Sequence, residues 1–195
     1  LQSVTSPRML TGLTNGQRYT IIVNGRINGG KGGDGCVPVF ATPRAAGETW
    51  ENGTPLGTTA INGMVFSPTI FVAVGDGGVI YTSPDGGNWI ARNSGTTSDL
   101  YAVSYNAGRY VAVGAGGTIV YSIDGFAWTP EAVVVPVNLR ALRPSTDGFL
   151  VVGDGGTILR SINGQNWDVS NSGTTQNLRG VSVAGGAFVA VGDAG

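Results

Sequence analysis

Four tryptophans, Trp50, Trp89, Trp128 and Trp167, stand 39 residues apart. The same step links Gly75, Gly114, Gly153 and Gly192, and it links Leu100, Leu139 and Leu178. Several chemically unrelated positions keep one period, so the chain must be built from a repeated structural unit. A repeat of that length is a supersecondary unit, and one such unit cannot bury its own apolar faces. It has to stack on its neighbours.

The content of a unit is legible from residue 100. LYAVS alternates apolar and polar, as a half-buried strand does. YNAGR is a turn, YVAVG a short apolar strand, and AGG a tight turn whose glycines permit positive φ. TIVYS is a β-branched strand, IDGF a further turn, and AWTPEA a last strand at an edge, because Pro130 has no N–H for a ladder. Four short antiparallel strands in about 40 residues match a β-propeller blade. The segments 71–74, 110–113, 149–152 and 188–191 (FVAV, YVAV, FLVV and FVAV) are expected to be the buried middle strand of each blade. No segment has the pattern of an amphipathic helix.

Each unit also carries a polar turn: SPDGGNW from Ser83 to Trp89, SIDGFAW from Ser122 to Trp128, and SINGQNW from Ser161 to Trp167. A short Asp side chain accepts hydrogen bonds from backbone N–H groups just ahead of it, while Gly takes the left-handed position. The Ser hydroxyl ties down the other side, and the Trp covers the hairpin with a large apolar face. Asp85 and Asp124 are replaced by Asn163 in the third copy. Asn keeps the turn-forming acceptor and loses acid–base capacity. A catalytic role would not tolerate that change, so these residues are expected to be structural.

This pattern resembles the Asp-box, or BNR, repeat of sialidases, sortilin-type receptors and the photosystem II stability/assembly factor family, over about residues 37–195. VGDGGTILRSINGQNW (152–167) is most similar to the last group. Ser and Trp are six residues apart here, one fewer than in the usual box. The resemblance implies a propeller in which the box is a structural hairpin away from the ligand site. A photosystem assembly role would call for an arginine patch, which is not evident from the scattered arginines.

Residues 1–44 depart from the repeat. Asn15-Gly16 makes a two-residue turn, an alternating strand surrounds Tyr19, Ile21 and Val23, and VPVFATP forms a final strand. Leu13, Gly16, Tyr19, Ile21, Val23 and Thr42-Pro43 resemble the second half of a fibronectin type III domain. The expected organisation is an all-β chain: a partial fibronectin type III-like β segment over 1–44, then a propeller of 39-residue four-stranded antiparallel blades over 45–195, about four units with the last incomplete. The chain reads as part of a longer precursor or parent. In the alternative, residues 37–52 supply the third and fourth strands that complete the last unit, closing a ring of four blades.

Composition narrows the function. Formal net charge is −1, with 11 basic and 12 acidic residues and no His. Scattered arginines and low charge exclude a phosphate-binding surface, so no nucleic-acid partner is expected. Lack of His removes the commonest general base and metal ligand. The single Cys36 can form neither an internal disulfide nor a zinc site, so it reads as a buried small hydrophobe. No run of about 18 apolar residues is present, so no membrane insertion is expected. No metal or other cofactor is expected: the GDGG turns at Asp76 and Asp154 become AGG at Ala115, so no carboxylate is needed in every unit. Asn52-Gly53-Thr54 is a glycosylation sequon, meaningful only in a eukaryotic secretory setting.

A sialidase-like hydrolase would need an arginine cluster and a Tyr–Glu pair. The arginines lie at irregular places, and Glu48, Glu51 and Glu131 are the only glutamates. The expectation is a non-enzymatic module of a secreted, cell-surface or virion protein, binding protein or glycan, or further copies of itself. A phage tail, fibre or capsid-decorating protein is the alternative. The NSGTT loop (93–97 and 171–175) is replaced in the middle unit by EAVVVPVN (131–138). Val133, Val134, Val135 and Val137 are therefore the candidate interface, with packing on a neighbouring blade as the other reading.

Overall fold

The computed structural model describes residues 19–21, 39–41, 56–184 and 187–194. The chain divides into two units, Leu1–Asn52 and Gly53–Gly195. In the first, strand β1 (Tyr19–Ile21) pairs antiparallel with β2 (Val39–Ala41), in the register Tyr19↔Ala41. Asn15-Gly16, Cys36, Trp50 and the 52–54 sequon lie outside the described residues.

The second unit is a succession of antiparallel meanders. Strands β3 (Ile61–Phe66), β4 (Phe71–Gly75), β5 (Ile80–Ser83) and β6 (Ile90–Arg92) form one four-stranded blade. The next holds β7 (Leu100–Asn106), β8 (Arg109–Gly114), β9 (Ile119–Ser122) and β10 (Thr129–Pro130). The third holds β11 (Leu139–Ser145), β12 (Gly148–Gly153), β13 (Ile158–Ser161) and β14 (Asp168–Ser170). The fourth shows β15 (Leu178–Ala184) paired with β16 (Ala187–Gly192). First strands begin at 61, 100, 139 and 178, which is the 39-residue step realised in backbone. Pro130 sits on an edge strand, where its missing N–H costs no ladder bond.

Blades stack in order: the first strand of each lies on the first and second strands of the one before it. Leu100 and Val103 of β7 join Val72 and Val74 of β4 in one buried cluster. Leu139 and Leu142 of β11 join Val111 and Val113 of β8 in the next, and Leu178 and Val181 of β15 join Leu150 and Val152 of β12 in the third. Burial of these branched side chains supplies the cohesion between units, at about 1.5–3 kcal/mol for each large one fully removed from water.

Segments 72–74, 110–113 and 149–152 are buried, but 188–191 is not. Phe188, Val189 and Val191 are 43, 61 and 59% exposed. The reason is topological: among the described residues no third strand flanks β16 and no fifth blade covers it. Of residues 37–52, which the alternative assigns to the last unit, the structure describes β2 alone, paired with β1.

Candidate functional site

The two ends of each blade do different work. At one end lie the Ser-x-Asp/Asn-Gly-x-x-Trp turns. Ser83 Oγ donates to Asp85 Oδ1 at 2.9 Å and accepts the N–H of Gly86 at 2.9 Å. Asp85 Oδ1 accepts the N–H groups of Gly87 and Asn88 at 2.9 and 2.8 Å, and Trp89 Nε1 donates to Gly86 O at 3.0 Å. The second turn repeats this with Ser122, Asp124, Phe126, Ala127 and Trp128. In the third, Asn163 Oδ1 accepts from Gln165 and Asn166, and Ser161 Oγ accepts from Gly164. Trp167 Nε1 is buried without a hydrogen-bond partner among the described residues.

The buried anchor of these turns is the serine: Ser83, Ser122 and Ser161 are no more than 6% exposed, whereas the acid or amide faces solvent. Backbone N–H bonds, chiefly from Asn88, hold the Asp85 carboxyl below the usual carboxylate range. Asp124 is lowered in the same way, chiefly by Ala127 and Phe126. Neither carboxyl holds a proton to give near neutral pH. The turns also lie on the preceding blade: a Cβ at Gly125 would come within 2.6 Å of Ile70 Cδ1, and one at Gly164 within 2.6 Å of Val111 Cγ2.

At the opposite end the first strand begins, the Gly-Gly turn closes the second hairpin, and the loop to the next blade departs. Every first strand has a register shift one residue in, between Ile61 and Gly63, Leu100 and Ala102, Leu139 and Ala141, and Leu178 and Gly180. A bulge re-aims the extra side chain away from the regular alternation. The four re-aimed residues are Asn62, Tyr101, Arg140 and Arg179. Arg140 Nε and Nη2 each bond Asp154 at 2.8 Å in a bidentate fork. Arg179 forks onto Asp193, and Asn62 Nδ2 donates to Asp76 Oδ1 at 2.7 Å. The Arg140 guanidinium lies 5.5 Å from the Tyr101 ring centroid.

Sequence reading missed this row, in which each arginine is paired with an aspartate. The missed signal was the 39-residue step itself, which places Arg140 and Arg179 immediately after Leu139 and Leu178. In each pair the aspartate raises the arginine's basicity and the arginine lowers the Asp154 or Asp193 carboxyl, in each case chiefly through the Arg–Asp hydrogen bond. Neighbouring pairs also sense each other's charge. Each fork uses two of the five guanidinium N–H groups, so three remain on each arginine.

The interblade loop reinforces this end. Asn138 Oδ1 accepts the N–H of Gly116 in the preceding blade, while its Nδ2 donates to Asp154. Asn177 does the same with Gly155 and Asp193. In the second blade Asp99 takes the loop position and accepts from Gly77. The Asp99 side chain has no N–H to offer a carboxylate, and the turn position there is Ala115 rather than Asp. Two facing carboxylates would repel, so the acid moves from one position to the other.

The valine loop belongs to the same end. Val133 and Val134 are 58 and 39% exposed, whereas Val135 and Val137 pack against the core between the second and third blades. The expected patch of four is therefore an exposed pair with two anchors beneath it. Two clefts of about 290 and 260 Å³ border β16; Phe188 and Leu150 line one, Leu178 and Asp193 the other. Asp147, Arg160 and Asp168 also line the first, and Ser172, Thr174 and Gln176 the second. No group of three or more His, Cys, Asp or Glu side chains that could hold a metal exists among the described residues.

No protein-family model matches the chain, and no curated protein does. Among solved structures, one described as YCF48 bound to D1 peptide matches with a TM-score of 0.57 at 19% identity, covering 75% of this chain and 51% of that one. Another, YCF48 from Cyanidioschyzon merolae, matches with a TM-score of 0.42 at 16% identity, covering 81% of this chain and 75% of that one. The chain thus spans about half the length of the first. At that identity the likeness speaks for the fold alone, and with the stacked four-stranded antiparallel sheets it makes the second unit a β-propeller assembly.

Proposed function

We propose that the chain is a non-catalytic protein-binding module that captures an extended, acidic peptide segment at the bulge end of its blades. The observation that carries this reading is the contiguous row of re-aimed Tyr101, Arg140 and Arg179. The row offers unused guanidinium donors and an aromatic edge, with the exposed Val133 and Val134 on the same end. Propellers carry recognition on the loops of one end. The solved structure described as bound to D1 peptide supports a peptide as the type of partner. Carboxylates held ionised by hydrogen bonds are poor proton donors, which favours binding over hydrolysis.

In this reading the Ser-x-Asp/Asn-Gly turns are Asp-box staples, and residues 1–44 are a fibronectin-like neighbour. The low charge and glycine-rich turns suit a part of a secreted, cell-surface or virion assembly, a phage tail or fibre included. The test is fluorescence anisotropy with labelled acidic, neutral and basic peptides of equal length. Arg140→Gln and Arg179→Gln are each expected to weaken acidic-peptide binding by about tenfold, with a flatter salt dependence. Equal binding of all three peptides, or no change in either variant, overturns the reading.

A further inference from the structure

The third polar turn differs from the other two in one functional group. Ser83 and Ser122 face a carboxylate, at Asp85 and Asp124, whereas Ser161 faces the amide of Asn163, with Gly164 next in the chain. An amide carries a leaving group and a carboxylate does not. When glycine follows asparagine, the next backbone nitrogen can close onto the side-chain carbonyl carbon, because no side chain obstructs it.

The turn supplies the remaining parts of that reaction. Asn163 Oδ1 accepts the N–H groups of Gln165 at 3.0 Å and Asn166 at 2.9 Å, two donors aimed where negative charge would develop. Ser161 Oγ accepts the N–H of Gly164, the attacking nitrogen, at 2.8 Å. The same hydroxyl donates toward Asn163 Oδ1 at 3.3 Å. It thus bridges the atom that must lose a proton and the atom that must gain one. Asn163 is exposed, and no acceptor holds its Nδ2 among the described residues, so the departing amine faces water. Asn62-Gly63 is arranged the other way. Its Nδ2 donates to Asp76 Oδ1 at 2.7 Å and to Leu100 O at 3.1 Å, which ties the leaving nitrogen down.

We propose that the third turn converts its own Asn163 to aspartate, and so acquires the carboxylate that the other two copies carry. Gly164 N attacks Asn163 Cγ; its proton passes to Ser161 Oγ while the Ser161 proton passes to Asn163 Oδ1. The tetrahedral centre then expels Nδ2 as ammonia, which takes the new hydroxyl proton with it, and a cyclic imide remains. Water opens the imide. Attack at Cγ breaks the new bond to Gly164 N and gives aspartate, whereas attack at the backbone carbonyl gives isoaspartate and a longer main chain. Gly164 is packed against the preceding blade, where a Cβ would come within 2.6 Å of Val111 Cγ2 and 3.0 Å of Arg109 Cδ. A lengthened turn does not fit there, so the fold selects aspartate. The product keeps both N–H bonds, as Asp124 does with Phe126 and Ala127, and its charge strengthens them.

The test incubates the folded chain and the isolated peptide SINGQNW together at mildly alkaline pH. Mass spectrometry after proteolysis locates each conversion and separates aspartate from isoaspartate. Asn163 is expected to convert at least about tenfold faster in the folded chain than in the peptide, to give mainly aspartate, and to run ahead of Asn62. Ser161→Ala is expected to slow the conversion about tenfold, and Ser161→Thr, which keeps a hydroxyl, to retain it. A folded chain no faster than the peptide overturns the proposal, because the turn then shields the amide instead of activating it. Predominant isoaspartate, or an unchanged rate in Ser161→Ala, overturns it as well. If Ser161→Ala does not fold, the rate of the folded wild type against the same chain in guanidinium chloride decides alone, and an equal or faster rate in the denaturant sinks the proposal.

Discussion

Gly116 and Gly117 are adjacent and conformationally alike, with φ of 61 and 81°, yet their side-chain space differs completely. A Cβ on Gly116 meets nothing within 4 Å, while one on Gly117 would lie 1.8 Å from Val135 O and 3.0 Å from Val133 Cγ1. The first position needs glycine only for its left-handed backbone. That costs an ordinary L-residue about 1–2 kcal/mol. The second needs it because a carbonyl occupies the place of the missing side chain. Gly117→Ala is therefore expected to lower stability by at least about 2 kcal/mol more than Gly116→Ala, since the loop backbone must move away. Urea unfolding of the two variants measures the difference. Equal losses would mean that the loop yields freely and that the close approach is not a constraint.

At the scale of the element, the interblade loop shows how different residues keep one backbone path. Gly78 faces Thr96 O, Gly117 faces Val135 O and Gly156 faces Thr174 O, so the carbonyl returns to one place in each unit. In the first loop Ser94 Oγ donates to Thr96 O and Asn93 Oδ1 accepts the N–H of Gly95, a self-bonded polar turn. Ser172 and Asn171 repeat it. The middle loop gives up those bonds and buries Val135 and Val137 instead. Grafting NSGTTQN over residues 132–138 is expected to preserve the fold and alter stability by no more than about 2 kcal/mol, because polar turn bonds replace two partly buried valines. Calorimetry checks this, and a graft that abolishes cooperative unfolding would show that the valines are indispensable anchors.

The same scale explains what could be read in advance. Strand spacing was legible because the buried positions recur with one residue type, as in Leu100, Leu139 and Leu178. The bulge row was hidden because only two of its four members agree: Arg140 and Arg179 repeat, while Asn62 and Tyr101 share the backbone irregularity and not the side chain. Periodicity of apolar residues reports burial, and a bulge shifts alternation by one residue without marking the shift in composition. The valine loop misled for a related reason. Four valines in a run of eight read as one patch, and only the path of the loop separates the exposed Val133 from the packed Val135.

At the scale of the whole second unit, stability has to be graded along the stack, because a repeat array sums the intrinsic stability of each unit with its interfaces to the next. The second and third blades are covered by neighbours on both faces. The first blade has a neighbour at its trailing face, where Val72 and Val74 are fully buried, while Met64 and Phe66 are 61 and 57% exposed on β3. The fourth blade shows two strands, with Val189 and Val191 in solvent. Local opening needs only the contacts of the segment that opens, so amides in β15 and β16 should exchange at low free-energy cost, while those of β8 and β12 exchange only when the interfaces on both sides are lost. The expected order of hydrogen-exchange protection is β8 and β12 first, then β4, then β16. Protection of β16 equal to that of β8 would mean that the array unfolds as one cooperative block, and that interface burial does not set the order of opening.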